Sequence, residues 1–228
     1  MSALILIVSV FYFVLGADDL VFDILFWWTR IKHHRKMRRF PPLTIETLRS
    51  KPEQRIALFI PAWHEADVVD RTLDFACRSI EYANYDIFVG VYPNDPETVA
   101  KVQALARIYS QVHPVINPSP GPTTKAQNLN SIYHEMRRVE GNEPVQIIVL
   151  HDVEDIIHPY SLLIYNHLMP KIEMLQLPVF PLERQWNKWT AWTYADEFAE
   201  YHQKDLLFRE AMGSFVPCAG VGCGFSRR

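Results

Sequence analysis

Three carboxylates fall within four residues at the end of an apolar run: Ile147-Ile148-Val149-Leu150 leads through His151 into Asp152, Glu154 and Asp155. Consecutive aliphatic residues suit a strand buried on both faces. Carboxylates at the end of such a strand lie in the crevice where open α/β sheets bind ligands. Asp152 and Glu154 stand two apart, so extended backbone projects them to one side, where they can share a cation. Oxygen-only ligands favour Mg or Mn over Zn. The competing reading is an acidic turn that caps the next helix. It applies most to Asp155, which is either a further ligand or the cap of a helix beginning near Pro159.

Other groups extend the chemistry. Glu65 and Asp95 follow two further apolar segments, where their acceptor oxygens can bond the N–H or hydroxyl groups of a ligand. The plainer role for Glu65 is interaction with a helix dipole. Lys125 opens a helical segment after a loop containing Pro118, Pro120, Gly121 and Pro122, with Asn128 and Asn130 close behind. A cation beside free backbone N–H groups can hold a diphosphate, against the alternative of an ordinary surface lysine. His151 and His158 lack the helical spacing of a zinc pair. Cys77, Cys218 and Cys223 show no C-x-x-C spacing and read as free thiols. Trp186, Trp189 and Trp192 recur every third residue, which suits packing against the sheet or a partner better than sugar stacking or a membrane-facing belt. Glu197, Asp205 and Glu210 read as solvated charges on helix faces.

The elements that must position these groups alternate. Ile56–Pro61 and Tyr85–Tyr92 read as strands, and Asp67–Glu81, Glu97–Gln111 and Thr124–Arg138 as helices. A Pro-rich loop spans His113–Pro122, Pro159–Pro170 and Lys188–Met212 read as helical, and Phe215–Phe225 as a Gly-punctuated strand. Such alternation predicts an α/β fold with a largely parallel sheet and helices on both faces. A net charge of −3 and 49% hydrophobic residues suit a globular body with a real core and give no reason to expect nucleic acid.

The N-terminus is different. Ala3–Ala17 is uncharged, reaching roughly 22 Å as a helix against ~30 Å of hydrocarbon. Leu20–Trp28 is a second apolar stretch. Either one long transmembrane helix carries Asp18, Asp19 and Asp23 at membrane depth, or a short span leads into an interfacial segment anchored by Trp27 and Trp28. The basic block from Arg30 to Arg39 is retained on the cytoplasmic side of a membrane. A cleaved signal peptide ending near Leu15-Gly16-Ala17 competes, but the positive n-region it needs is missing. The expected division is a membrane segment over 1–29, a basic block and linker over 30–54, and the α/β domain over 55–228.

In order along the chain, Ile60-Pro61-Ala62-Trp63-His64-Glu65, Asp95, Lys125-Ala126-Gln127-Asn128-Leu129-Asn130 and Asp152-Val153-Glu154 resemble the P-A-x-N-E, Asp, K-A-x-x-L-N and D-x-D stations of family 2 glycosyltransferases of the GT-A fold, nearest to the membrane-bound polysaccharide-synthase type. His64 stands where the family has asparagine, and Glu154 where it has a second aspartate. The resemblance implies that Pro61, Ala62, Glu65, Asp95, Lys125 and Asn128 hold the nucleotide of a sugar donor. It implies that Asp152, Glu154 and less centrally Asp155 hold Mg or Mn, and that Gly222, Cys223 and Gly224 face the acceptor sugar. The implied reaction is inverting transfer, from a UDP-sugar by preference, to a growing polysaccharide at the bacterial inner membrane, with the general base beyond Arg228. The implied partners are the donor, a glycan acceptor, membrane lipid, an outer-membrane export or receptor partner, and cyclic-di-GMP acting through a region outside this chain. The alternative is a non-catalytic membrane receptor or scaffold that keeps the fold.

Overall fold

Strand β1 (Ile56–Pro61) is the centre of the sheet, and its aliphatic run is buried almost throughout. In the computed structural model, which describes residues 2–169, 171–182 and 189–227, β1 pairs in parallel with β2 (Tyr85–Val91) on one side and with β4 (Ile147–Leu150) on the other. Beyond β2 lies β3 (Val112–Ile116), also parallel. Beyond β4 lie β6 (Cys223–Ser226), antiparallel to it, and the edge strand β5 (Met174–Gln176). The order is β3-β2-β1-β4-β6-β5. The chain steps outward from β1 to β3 and then returns to place β4 on the far side of β1. The strand order therefore reverses between β1 and β4, where open sheets leave a crevice at the carboxyl ends.

Strand alternation divides the core. Ile56, Leu58, Ile60, Ile87, Val89, Ile147 and Val149 face one layer. There they meet helices α3 (Val69–Ser79), α4 (Pro96–Ile108) and α6 (Ser161–Leu168) through Leu73, Val102 and Leu162. Ala57, Phe59 and Phe88 face the other layer, under Ile132 and Met136 of α5 (Lys125–Val139). Helices thus cover both faces, as the alternation predicts.

Two strands depart from expectation. The segment expected as a Pro-rich loop contains β3, whose Pro114 cannot donate to a ladder; it is tolerated because β3 is an edge strand. β5 is only three residues long, too short for periodicity to register. The strand expected over Phe215–Phe225 contracts to Cys223–Ser226.

By contacts, the chain divides into two units: Met1–Pro42 with Val179–Pro217, and Leu43–Pro178 with Cys218–Arg228. The sheet unit begins before residue 55, because α2 (Ile45–Arg49) buries Leu48 and Gln54 bonds to Asn166 and to the Met169 carbonyl. In the other unit, α1 (Ser2–Met37) runs without a break through both apolar stretches. It is long and apolar enough to cross a membrane. The same unit contains α7 (Trp189–Glu200), a π-helical turn (Tyr201–Asp205) and α8 (Leu206–Ala211). Trp189, expected to pack, is 78% exposed; Trp192 is exposed too, and Trp186 lies outside the described residues.

Candidate functional site

The crevice is built from the ends of β1, β2 and β4 and the start of α5. After β1 the Ala62 N–H still bonds to the Gly90 carbonyl at 2.8 Å, and the chain then turns through His64, which adopts φ 58°. Asp95 holds this turn: one carboxylate oxygen accepts the His64 N–H at 2.8 Å, and the other caps α4 by accepting the Thr98 N–H at 3.4 Å. The Glu65 N–H donates to the Thr98 hydroxyl at 3.2 Å. Burial pushes the Asp95 carboxyl up, but hydrogen bonds from Thr98 and from the His64 N–H outweigh it and leave the group below its ordinary range.

Past β4, the Asp152 backbone is clamped by its own turn. The Asp155 carboxylate accepts the Asp152 N–H at 2.8 Å, and the Asp155 N–H returns to the Asp152 carbonyl at 3.2 Å. Asp155 therefore turns back onto the backbone and onto His151, and it does not cap α6, whose N-terminus has no side-chain cap. Asp152 itself projects outward and pairs with the Lys125 ammonium. Lys125 also donates to the Gly220 carbonyl at 3.1 Å. It opens α5, whose first turn is capped by the Thr124 hydroxyl accepting from the Gln127 N–H at 3.1 Å. Glu154 is exposed beside them.

Electrostatics ties these carboxylates together. Glu65 is raised above its ordinary value by burial first and then by repulsion from Glu154, Asp152 and Asp95. Among the described residues no three His, Cys, Asp or Glu side chains close into a metal cage. The donor set nevertheless fits a hard divalent cation. The available donor atoms are carboxylate oxygens, Asp152 is half-exposed and Glu154 exposed, and the Lys125 ammonium is paired with Asp152. Mg-type sites commonly use one or two carboxylates and leave the rest of the shell to phosphate oxygens and water.

The raised Glu65 has a signed consequence. An acid held above its unfolded value binds its proton more tightly when folded, so the fold loses stability as pH rises from the ordinary value of 4.5 towards the raised one. Glu65→Gln is therefore expected to raise the thermal midpoint at neutral pH and to leave it unchanged well below the carboxylate range. A pH series of melts reads this directly, and a uniform shift at all pH values contradicts it.

Several expected site residues have other tasks. Asn128 is 2% exposed; its amide donates to the Gly90 carbonyl at 3.0 Å, and its oxygen has no hydrogen-bond partner. It fastens α5 to β2 and does not reach the crevice. Cys223 is fully buried in β6, with its thiol pushed up by burial and by Cys218. A Cβ on Gly224 would lie 2.6 Å from the Tyr165 ring. The Gly222 carbonyl accepts from the Tyr165 hydroxyl at 2.8 Å and from the Leu177 N–H at 2.9 Å. These residues close the sheet. Pro61 ends β1 half-buried and Ala62 is buried directly after it, so their backbone forms the floor behind the His64 turn.

One residue escaped the sequence reading. Trp63 lies edge-on to Tyr92, with ring centroids 4.9 Å apart, and covers Gly121, where a Cβ would come within 2.4 Å of the indole. Asn94 bonds both the N–H and the carbonyl of Gly121, at 2.7 and 2.8 Å, and the Tyr92 and Thr123 hydroxyls meet at 2.6 Å. The loop leading to Lys125 is thus fixed on aromatic and amide supports from β1 and β2. The signal was the aromatic residue inside the first motif.

Comparison with known proteins adds to this geometry. A family model described as glycosyltransferase-like family 2 matches residues 52–228. Bacteriophage adsorption protein B of Escherichia coli (strain K12) is 40% identical over 223 residues, which cover 96% of this chain and 30% of that protein. Bacteriophage N4 adsorption protein B of Escherichia coli O157:H7 matches to the same extent. The chain thus spans 30% of the length of these relatives. Among solved structures, glucosyl-3-phosphoglycerate synthase from Mycobacterium tuberculosis, in complex with Mn2+ and UDP-glucose, aligns at 16% identity with a TM-score of 0.47, covering 82% of this chain and 61% of that one. A mannosyltransferase from Pyrobaculum calidifontis in complex with GDP-Man and Mn2+ aligns at 14% identity with a TM-score of 0.41, over 70% of this chain and 46% of that one. The family match takes in every motif from Pro61 to Glu154 and the whole sheet, and this chain belongs to glycosyltransferase family 2.

Proposed function

We propose that the chain is the donor-binding part of a membrane-anchored glycosyltransferase that moves a sugar, with inversion, from a nucleotide sugar to a growing glycan. UDP is the preferred nucleotide and Mg or Mn the cation. The observation that carries the proposal is the meeting of Lys125 and Asp152 at the strand-order reversal, within the field of Glu65, Glu154 and Asp95. In this structure Lys125 and Asp152 neutralise each other; with donor bound, Lys125 would face the diphosphate and Asp152 a divalent cation. Lys125 and the first turn of α5 would hold the diphosphate, and Asp152 with Glu154 would hold the cation. When bound, the cation supplies neutralisation of the charge that grows on the leaving diphosphate. Glu65, on the loop that Asp95 fixes, is placed to accept from base or ribose.

The anchor in this proposal is α1. Its apolar length precedes a Lys/Arg block at Arg30–Arg39, which holds the sheet unit on the cytoplasmic side of the inner membrane. No described residue speaks for a cyclic-di-GMP site or an export partner, and neither is part of the proposal. A second reading, a receptor or scaffold without turnover, is favoured by the relatives named for phage adsorption. Calorimetry separates the two. The full chain in detergent is expected to take up UDP in the presence of Mn, with the heat abolished by chelator. Flat titrations with both UDP and GDP in folded protein leave the scaffold reading in its place.

A further inference from the structure

We propose that the segment from Trp189 to Phe215, helical as far as Ala211, is a second membrane element, lying in the headgroup region of the same bilayer that α1 crosses. The inference rests on the reading of α1 as a membrane span. Asp23 stands twenty residues after Ala3, and at 1.5 Å per residue that is about 30 Å, the thickness of the hydrocarbon core. Asp23 therefore marks the boundary between acyl chains and headgroups.

The segment is fastened to α1 at that level. The Lys204 ammonium is 2.6 Å from the Asp23 carboxylate and 2.9 Å from Glu200. Phe22 and Phe208 meet edge-on with ring centroids 5.5 Å apart. Phe26, Leu206 and His202 are buried, and neither nitrogen of the His202 ring has a partner. About one turn further along, α1 exposes Trp27 and Trp28, with Arg30 5.9 Å from the centroid of the first and Lys32 5.2 Å from that of the second. Tryptophan with adjacent cations is the composition of a membrane interface.

The segment matches that level in kind. Trp189 is 78% exposed, Tyr194 64%, Leu207 51%, Met212 55% and Phe215 77%. Surface on this scale within one short stretch calls for a covering phase. Lipid is the occupant because the segment is pinned at the acyl boundary and because its aromatics are mixed with exposed Asp196, Glu197 and Glu200. That mixture suits a helix lying in an interface. With Asp205 and Glu210 these outnumber Lys204 and Arg209, so attachment comes from apolar burial and not from attraction to anionic lipid.

The test uses the full chain in phosphatidylcholine vesicles carrying brominated acyl chains, with a fluorophore at Tyr194→Cys or Leu207→Cys in a Cys218→Ser background. Burial pushes the Cys77 thiol up to about 11 and raises Cys223 as well, so neither labels readily. Bromine near the headgroups is expected to quench both labels about two-fold or more, to the same extent when anionic lipid is added, while a label at Glu197→Cys stays bright. A label at Phe11→Cys on α1 is expected to be quenched by deep bromine. If Phe11 is quenched and the Tyr194 and Leu207 labels behave like Glu197, the inference is wrong while the anchor stands. Concentration-dependent self-quenching without bromine quenching would assign the face to a second copy and also overturn it. An unquenched Phe11 removes the anchor reading, and this inference with it.

Discussion

Asp152→Asn is expected to remove about 1.5 kcal/mol or more of Mn-dependent nucleotide binding, the scale of one lost charge-assisted contact, and to strengthen binding measured without the cation. The two effects have one cause. Asp152 engages Lys125, and neutralising the carboxylate frees the ammonium for diphosphate while withdrawing a cation ligand. The pair is exposed on both sides, 44% for Lys125 and 38% for Asp152, so its own contribution to stability is small, in the range of about 0–1 kcal/mol. The variant should therefore melt close to the parent. Lys125→Met should weaken nucleotide binding with or without Mn. Asp196→Asn, on the exposed surface of α7, serves as the control and should change neither. Calorimetry with UDP, with and without Mn, reads all three variants. If Asp152→Asn and Asp196→Asn behave alike, the cation does not sit at Asp152.

Local pattern reached as far as local physics does. β1, β2 and β4 were legible because each carries a mostly apolar run, Ile56–Ile60, Ile87–Val91 and Ile147–Leu150, as strands with buried faces do. β3 was hidden by a proline that only an edge position tolerates. The pairing of β6 with β4 joins residues separated by the whole Val179–Pro217 excursion, and no periodicity encodes such a contact. The placement of Glu65, Asp95 and Asp152 after strands and of Lys125 at the start of a helix was legible from the apolar runs that precede them. For Asn128 the sequence also carried a packing signal: Asn128, Ile132 and Met136 recur every fourth residue and form the buried stripe of α5. Gly222 and Gly224 were read for backbone access, and in the fold Gly224 leaves room for the Tyr165 ring while the Gly222 carbonyl accepts the Tyr165 hydroxyl. The sequence shows that a glycine permits close approach, but not what approaches.

Gly90 shows how large such an approach can be. It lies on the α5 face of β2, and a Cβ there would come 1.8 Å from the Asn128 amide oxygen and 2.8 Å from the Ile132 Cδ1. Neither neighbour has room to leave, since Asn128 is 2% exposed and Ile132 fully buried. Gly90→Ala is accordingly expected to cost about 2–3 kcal/mol, as overpacking of a filled core does. That corresponds to a fall of roughly 5–10 °C in the thermal midpoint for a domain of this size. Adding Asn128→Ala should recover most of the loss. It removes the closest clash together with a buried oxygen that has no partner, and the Gly90 carbonyl keeps its bond from the Ala62 N–H. Ile132 still presses on the new methyl group, so recovery is incomplete. Urea or thermal melts of both single variants and the double variant decide the matter: a neutral Gly90→Ala, or a double variant no better than it, would show that close packing is not what requires glycine. Lys125 lies one turn before Asn128 on the same helix, so any shift that α5 makes to admit the methyl group moves the ammonium away from Asp152. Nucleotide binding should therefore fall in Gly90→Ala even under conditions where the protein remains fully folded.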